Sequence, residues 1–162
     1  MRNSEEFVQW IRANEGIIYK ITRAYESHPE NQKDLYQEIV YQLWKAYPKF
    51  RREAKVSTWI YRIALNTSLT YKKQSQKRRA KTLQEFELPE IGEESDPFQK
   101  DRLQQLYQSI QQLNLVEKGL ILLYLEGKSY AEMGEIMGFT PTNVGTRLAR
   151  IRKKLSNLVK QK

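Results

Sequence analysis

The sequence predicts an all-α protein of two small helical domains joined by a flexible linker, the C-terminal one a helix-turn-helix. Three observations carry this expectation. Apolar residues recur at helical rather than alternating spacing, and no segment reads as a strand. Glycines and prolines are few, 7 and 5, and they stand where helices should end. Between Leu83 and Asp101 the charge also changes sign, with seven carboxylates (Glu85, Glu87, Glu90, Glu93, Glu94, Asp96, Asp101) against Lys100 alone. Pro89, Gly92 and Pro97 interrupt any helix in that stretch, so residues 82–96 are expected to link a domain over 1–81 to one over 97–162.

The first helix is expected from about Ser4 to Ala24, with Phe7, Ile11, Ile18, Ile21 and Tyr25 on one side. His28-Pro29 should break it. A second helix, about Asn31 to Tyr47, carries Leu35, Ile39, Leu43 and Tyr47 along one face, and Pro48 stops it. A basic loop follows, and Ser57 or Thr58 then caps a long helix with Trp59, Ile60, Ile63, Ala64 and Leu69. That helix runs into the basic segment Lys72 to Lys81. In the second domain the expected helices are about Pro97–Leu113, Leu115–Glu126, Ser129–Met137 and Pro141–Leu158. Asn114 with Glu117, and Ser129 with Glu132, have the spacing of capping boxes, while Gly127 and Gly138 are stop signals.

The most informative segment is KSYAEMGEIMGFTPTNVGTRLARIRKK, Lys128 to Lys154. Ser129 starts one helix and Gly138 ends it; Thr140 caps the next, with Pro141 at its first position, where the missing N–H costs nothing. Only Gly138 and Phe139 separate the two. This is the pattern of a helix-turn-helix whose second helix enters a DNA major groove. Val144, Leu148, Ile151 and Leu155 form its inward stripe. Thr140 and Pro141 at the helix start, with Thr142, Asn143, Gly145, Thr146, Arg147 and Arg150, are the candidate DNA contacts. Arginine can grip guanine O6 and N7, asparagine can grip adenine N6 and N7, and threonine can touch a thymine methyl.

A second basic region lies in the first domain. Arg51, Arg52 and Lys55 occupy the loop, and Lys72, Lys73, Lys77, Arg78, Arg79 and Lys81 extend the helix after it. Phe50, Trp59, Tyr61 and Tyr71 are interleaved with them. Basic charge follows a phosphate backbone and aromatic faces stack on unpaired bases, a combination suited to single-stranded DNA. The whole chain of 162 residues holds 28 Lys and Arg against 19 Asp and Glu, a formal charge of +9, which favours a polyanionic partner.

Other classes find little support. The chain has no cysteine and a single histidine, His28, so no metal centre or cofactor is expected. No glycine-rich phosphate loop or paired catalytic motif is present, which speaks against an enzyme. The start, MRNSEEFVQW, is acidic and amphipathic rather than a signal peptide, and no apolar run reaches membrane-spanning length, so a cytoplasmic protein with no direct membrane insertion is expected. A self-sufficient dimeric helix-turn-helix regulator with an N-terminal sensor is the alternative reading. The basic, aromatic first domain weighs against it, since a sensor has no need of that surface.

The segment DLYQEIVYQLWKAYPKFRREAKVSTWIYRIALN (Asp34–Asn66) resembles the second conserved region of extracytoplasmic-function sigma factors of bacterial RNA polymerase. LNLVEKGLILLYLEGKSYAEMGEIMGFTPTNVGTRLARIRKKL (Leu113–Leu155) resembles their fourth region. The resemblance implies a promoter-specificity subunit that binds core RNA polymerase at its β′ clamp helices and β flap, binds promoter DNA, and is held by an anti-sigma factor. Asp34, Gln37, Glu38 and Trp44 stand at the family's clamp-helix positions; Gln42, like Asp34, Gln37 and Glu38, avoids the apolar stripe and joins that set. The loop Arg51–Thr58, with Arg51, Arg52, Lys55, Ser57 and Thr58, would receive a base flipped from the −10 element. Arg62, Asn66, Lys72 and Lys73 would continue that surface, and the fourth region would read the −35 element as duplex. Asn114 stands where many relatives have proline, Gly134 where alanine is usual, and Thr70 where aspartate is common.

If two weak DNA-binding modules are coupled only through the polymerase, the free chain should bind promoter DNA poorly. Its residual binding should fall by about 0.9 log unit per log unit of salt for each phosphate neutralised, read from a salt titration of fluorescence anisotropy. Tight, sequence-specific binding by the free chain contradicts this.

Overall fold

The computed structural model describes residues 4–51, 53–79 and 97–160. Among these residues the chain is built from α-helices and one 3-10 turn, without strands. The helices are α1 (Ser4–Tyr25), α2 (Pro29–Ala46), α3 (Val56–Arg79), α4 (Pro97–Gln111), α5 (Leu115–Leu125), α6 (Tyr130–Met137) and α7 (Pro141–Lys160). They fall into two compact units, Met1–Phe86 and Glu87–Lys162. The acidic stretch expected to link them, 82–96, lies outside the described residues.

In the first unit each of α1, α2 and α3 packs against the other two. The stripe of α2 foreseen from spacing, Leu35, Ile39 and Leu43, is fully buried beside Ile18 and Ile21 of α1 and Ile60 and Ala64 of α3. Each such side chain contributes about 1.5–3 kcal/mol by leaving water. Two boundaries differ from expectation. The first helix does end before His28-Pro29, but α2 opens on Pro29 itself rather than at Asn31, because its ring presets a helical φ there. Ser57 and Thr58 lie inside the first turn of α3 rather than capping it, since the Trp59 N–H already reaches the Lys55 carbonyl at 3.0 Å.

An aromatic cluster closes one end of this bundle. Phe7 and Trp10 of α1 meet Trp44 of α2 and Tyr47 of the 3-10 turn Tyr47–Lys49, with Phe50 and Trp59 beyond. Most of the pairs are edge-to-face at 5.0–5.3 Å between ring centroids, the arrangement that the ring quadrupole favours. Trp10 also touches Trp59, whereas Trp44 stacks nearly parallel to Tyr47. The cluster thereby pins the end of α2 to the start of α3 and fixes both ends of the basic loop between them.

A buried ion pair ties α1 to α3. Lys72 Nζ lies 3.1 Å from Glu26 Oε1, and the two residues are 8% and 2% exposed. Lys72, expected on the DNA surface, is thus turned inward by a carboxylate at the end of α1.

In the second unit α7 packs against α4, α5 and α6. Both foreseen capping boxes form. The Glu117 N–H donates to Asn114 Oδ1 at 2.8 Å while Glu117 Oε1 accepts from the Asn114 N–H at 3.0 Å. Ser129 and Glu132 repeat the exchange at the start of α6. At the end of α5, Gly127 is left-handed (φ +83°), and the N–H groups of Gly127 and Lys128 satisfy the Tyr124 and Leu123 carbonyls. Gly138, also left-handed, ends α6, where the Gly134 carbonyl accepts from both Gly138 and Phe139 at 2.7 and 2.9 Å. Thr140 Oγ1 then accepts from the Asn143 N–H at 3.2 Å, capping α7. A Cβ on Gly134 would run into the Phe139 carbonyl, so the turn closes against α6 only because glycine is there.

Two outcomes follow from these contacts. Gly134→Ala should push the turn outward and cost the second unit about 1–3 kcal/mol in chemical denaturation, although alanine is the better helix former. Lys72→Met should destabilise the first unit by about 3 kcal/mol by removing the ammonium that faces the buried Glu26 carboxylate, and Glu26→Leu in the same chain should recover most of the loss. Lys73→Met, at an exposed neighbouring position, should leave unfolding within about 0.5 kcal/mol of wild type.

Candidate nucleic-acid interface

Burial of Val144, Leu148 and Ile151 against the rest of the second unit fixes which side of α7 faces out. Asn143, Arg147 and Arg150 share a stripe about 60° wide, roughly a quarter turn around the helix from the buried one. At the start of the helix Thr140, Pro141, Thr142 and Asn143 are exposed. Thr146 spends its hydroxyl on the Thr142 carbonyl at 3.1 Å, so its methyl is what it can offer a base. Gly145 departs from expectation. It faces Tyr130, and a Cβ there would sit 3.3 Å from that ring, so its role is to let α6 and α7 approach rather than to touch DNA.

Arg147 is held from two sides. Its guanidinium lies 4.3 Å from the centroid of the Phe139 ring, and its Nε donates to Asn143 Oδ1 at 2.7 Å. Other cations of α7 are drawn back toward α5. Arg152 sits 5.4 Å from the centre of the Tyr124 ring, and Lys154 Nζ lies 3.1 Å from Glu117 Oε1. Both nevertheless stay exposed, as do Arg150 and Lys153.

The first unit separates its candidates by burial. Arg62, Asn66 and Lys73 fall on one stripe of α3, while Arg51 and Lys55 are exposed in the loop. Arg52 lies outside the described residues. Thr58 is 8% exposed and Lys72 is paired inward, so neither offers a surface for DNA; Ser57 is half-buried. Among the interleaved aromatics, Trp59 and Tyr61 belong to the core.

On α2, Asp34, Gln37 and Trp44 are exposed, and Glu38 accepts from Gln42 Nε2 at 3.0 Å. Glu38 and Gln42 share a groove of about 470 Å³ with Asn66, Thr70 and Gln74 of α3. Residues expected for polymerase and for DNA thus line one cleft. Trp44 lies on the other flank, against Phe7. Spacing did not single out Tyr41, which is 54% exposed with Lys45 Nζ 5.4 Å from its ring centroid. Its one signal was an aromatic residue off the Leu35/Ile39/Leu43 stripe. Burial, then the nearby Tyr19 and Glu15, push the Tyr36 phenol above its ordinary value, so it stays a neutral donor on this surface.

Among the described residues no three His, Cys, Asp or Glu side chains gather as a metal site would need, and no helix is long and apolar enough to cross a membrane.

Comparison with known proteins agrees with this layout. Residues 10–79 match Sigma-70 region 2, and residues 103–155 match Sigma-70 region 4. The chain is 28% identical over 138 residues to the ECF RNA polymerase sigma-E factor of Escherichia coli K12, covering 78% of this chain and 72% of that one. It is 23% identical over 155 residues to the ECF RNA polymerase sigma factor SigM of Mycobacterium tuberculosis (strain Erdman), covering 94% and 76%. The fold is similar to that of the sigma factor RpoE from Bartonella quintana, solved with the anti-sigma factor NepR (TM-score 0.73, 19% identity, 96% and 98% covered). It is likewise similar to CnrH, solved with the cytosolic domain of CnrY (TM-score 0.71, 19% identity, 98% and 90% covered). The match of the first unit to region 2 removes the case for a sensor domain there and, with it, the dimeric regulator. With a region 2 bundle followed by a region 4 helix-turn-helix, the chain belongs to the extracytoplasmic-function sigma factors of the sigma-70 family.

Proposed function

We propose that the two units of this sigma factor divide promoter recognition between them, acting in the cytoplasm as a specificity subunit and not as a catalyst. The exposed side of α2, with Asp34, Gln37, Glu38, Gln42 and Trp44, docks on the β′ clamp helices of core RNA polymerase. Arg51 and Lys55 of the loop, together with Arg62, Asn66 and Lys73 of α3, take the unpaired non-template strand of the −10 element. Extruding a base costs a few kcal/mol of stacking, and a shaped site that returns it selects sequence while helping to open the duplex. The outward stripe of α7 reads the −35 element, with the second unit resting on the β flap. An anti-sigma factor, the kind of partner with which the Bartonella quintana sigma factor was solved, covers these same faces in the inactive state.

The observation that carries this reading is the run of exposed cations in both units. Arg51, Lys55 and Lys73 are exposed in the first, and Arg150, Arg152, Lys153 and Lys154 in the second, on a helix that carries no carboxylate of its own. A basic face of this kind on well-packed helices is suited to phosphate.

In vitro transcription with purified core polymerase and mapped start sites tests the reading. The wild-type chain should confer start-site selection. Glu38→Lys with Gln42→Ala should weaken association with core polymerase about tenfold while leaving the fold intact, because both side chains lie at the surface. Asn66→Ala should leave that association unchanged and slow promoter opening. No association with the polymerase and no start-site selection would defeat the proposal.

A further inference from the structure

The pairing of Arg147 with Asn143 and Phe139 bears on which bases α7 reads. The Nε–H of arginine is a donor only, so the Asn143 atom facing it at 2.7 Å must be the carbonyl oxygen; the chemistry fixes the orientation of the amide. Reading adenine at N6 and N7 needs the amide plane aligned with the base edge, and here the 2.7 Å bond to Nε commits the orientation of that plane to Arg147. Arg147 keeps both terminal nitrogens of its fork, which is what guanine O6 and N7 require. The Phe139 ring, 4.3 Å from the guanidinium, supports the fork from behind.

That support is itself built into the turn. The Phe139 N–H donates to the Gly134 carbonyl, and the absence of a Cβ on Gly134 lets the Phe139 carbonyl settle against α6. An arginine on an exposed helix ordinarily samples many rotamers, and binding must select one of them. Here the free protein already holds Arg147, half-buried, in one arrangement.

We propose that Phe139 and Asn143 are positioning residues for Arg147, presetting a guanine-reading fork on α7. This rests on the reading of α7 as the −35 helix. The base pair that Arg147 addresses should therefore be a G·C pair, with specificity set by three side chains of which one touches the base edge.

The test uses the full chain bound to core polymerase and a promoter library randomised through the −35 element, read as base preference at each position. Arg147→Ala should erase a guanine preference of about tenfold at one base pair. Asn143→Ala and Phe139→Leu should each reduce that preference about threefold, at that base pair and no other. Asn143→Asp should weaken binding at every sequence yet keep the guanine preference, because a carboxylate still accepts from Nε. Asn143→Ala is the decisive variant if Phe139→Leu misfolds. It sits at an exposed position, and the cap of α7 uses the Asn143 backbone N–H rather than its side chain. A preference lost at a different base pair in Asn143→Ala, or an Arg147-dependent preference left intact by both neighbours' variants, overturns the proposal. If Arg147→Ala moves no −35 position while −10 preferences persist, the reading of α7 as the −35 helix fails, and the proposal with it.

Discussion

The burial of one apolar stripe on α7 governs the second unit. Val144, Leu148 and Ile151 are within 1% of full burial, and they leave α7 no rotational freedom about its own axis. Every outward residue is then assigned by helical geometry alone: Asn143, Arg147 and Arg150 to the solvent stripe, Gly145 to the contact with Tyr130. α6 has only eight residues, too few to be stable alone, so it depends on this packing and on caps at both ends. The recognition surface is a by-product of a hydrophobic constraint on another face of the same helix. A polar substitution at Leu148 would be felt by DNA without ever meeting it.

The first unit reaches the same end with aromatic rings. Its loop from Arg51 to Lys55 carries little core of its own, yet both its ends are fixed, by Phe50 on one side and Trp59 on the other. These rings lie 4.8 Å apart and share Trp10 as a neighbour. A basic loop anchored in this way can present charge without collapsing onto the bundle. Trp44 belongs to the outer edge of the cluster, 45% exposed, so a partner that covers it adds to a packed surface instead of ordering a loose one.

Much of this was legible in the residues. Caps were read correctly at Asn114, Ser129 and Thr140 because a cap is local: the partner lies three residues away and its chemistry is unambiguous. The Leu35/Ile39/Leu43 stripe was equally plain. What spacing could not show is what a cation meets. Lys72 continues the buried stripe of Tyr61, Leu65 and Ser68 on α3, but its partner, Glu26, lies 46 positions earlier. Phe139 escaped notice for a related reason, since its partner Arg147 lies two turns into the next helix. Pro29 plays both parts, since proline ends one helix and begins the next, and spacing placed the break but not the two extra residues of α2.

The same ambiguity bears on how a basic protein should be understood. A formal charge of +9 describes a total, whereas recognition depends on the cations left over once internal demands are met. Glu117 illustrates the accounting. One carboxylate oxygen accepts both the Asn114 N–H at the start of α5 and Lys154 Nζ of α7, so a residue placed by helix capping also tethers a surface cation. Arg147 stands between the two fates: it is bound internally, but through Nε and its ring face, which leaves the fork itself unspent. An arginine can be structural and available at once in a way a lysine cannot, because its donors are distributed around a rigid plane. That property lets a short helix hold a reading group in register without giving it up.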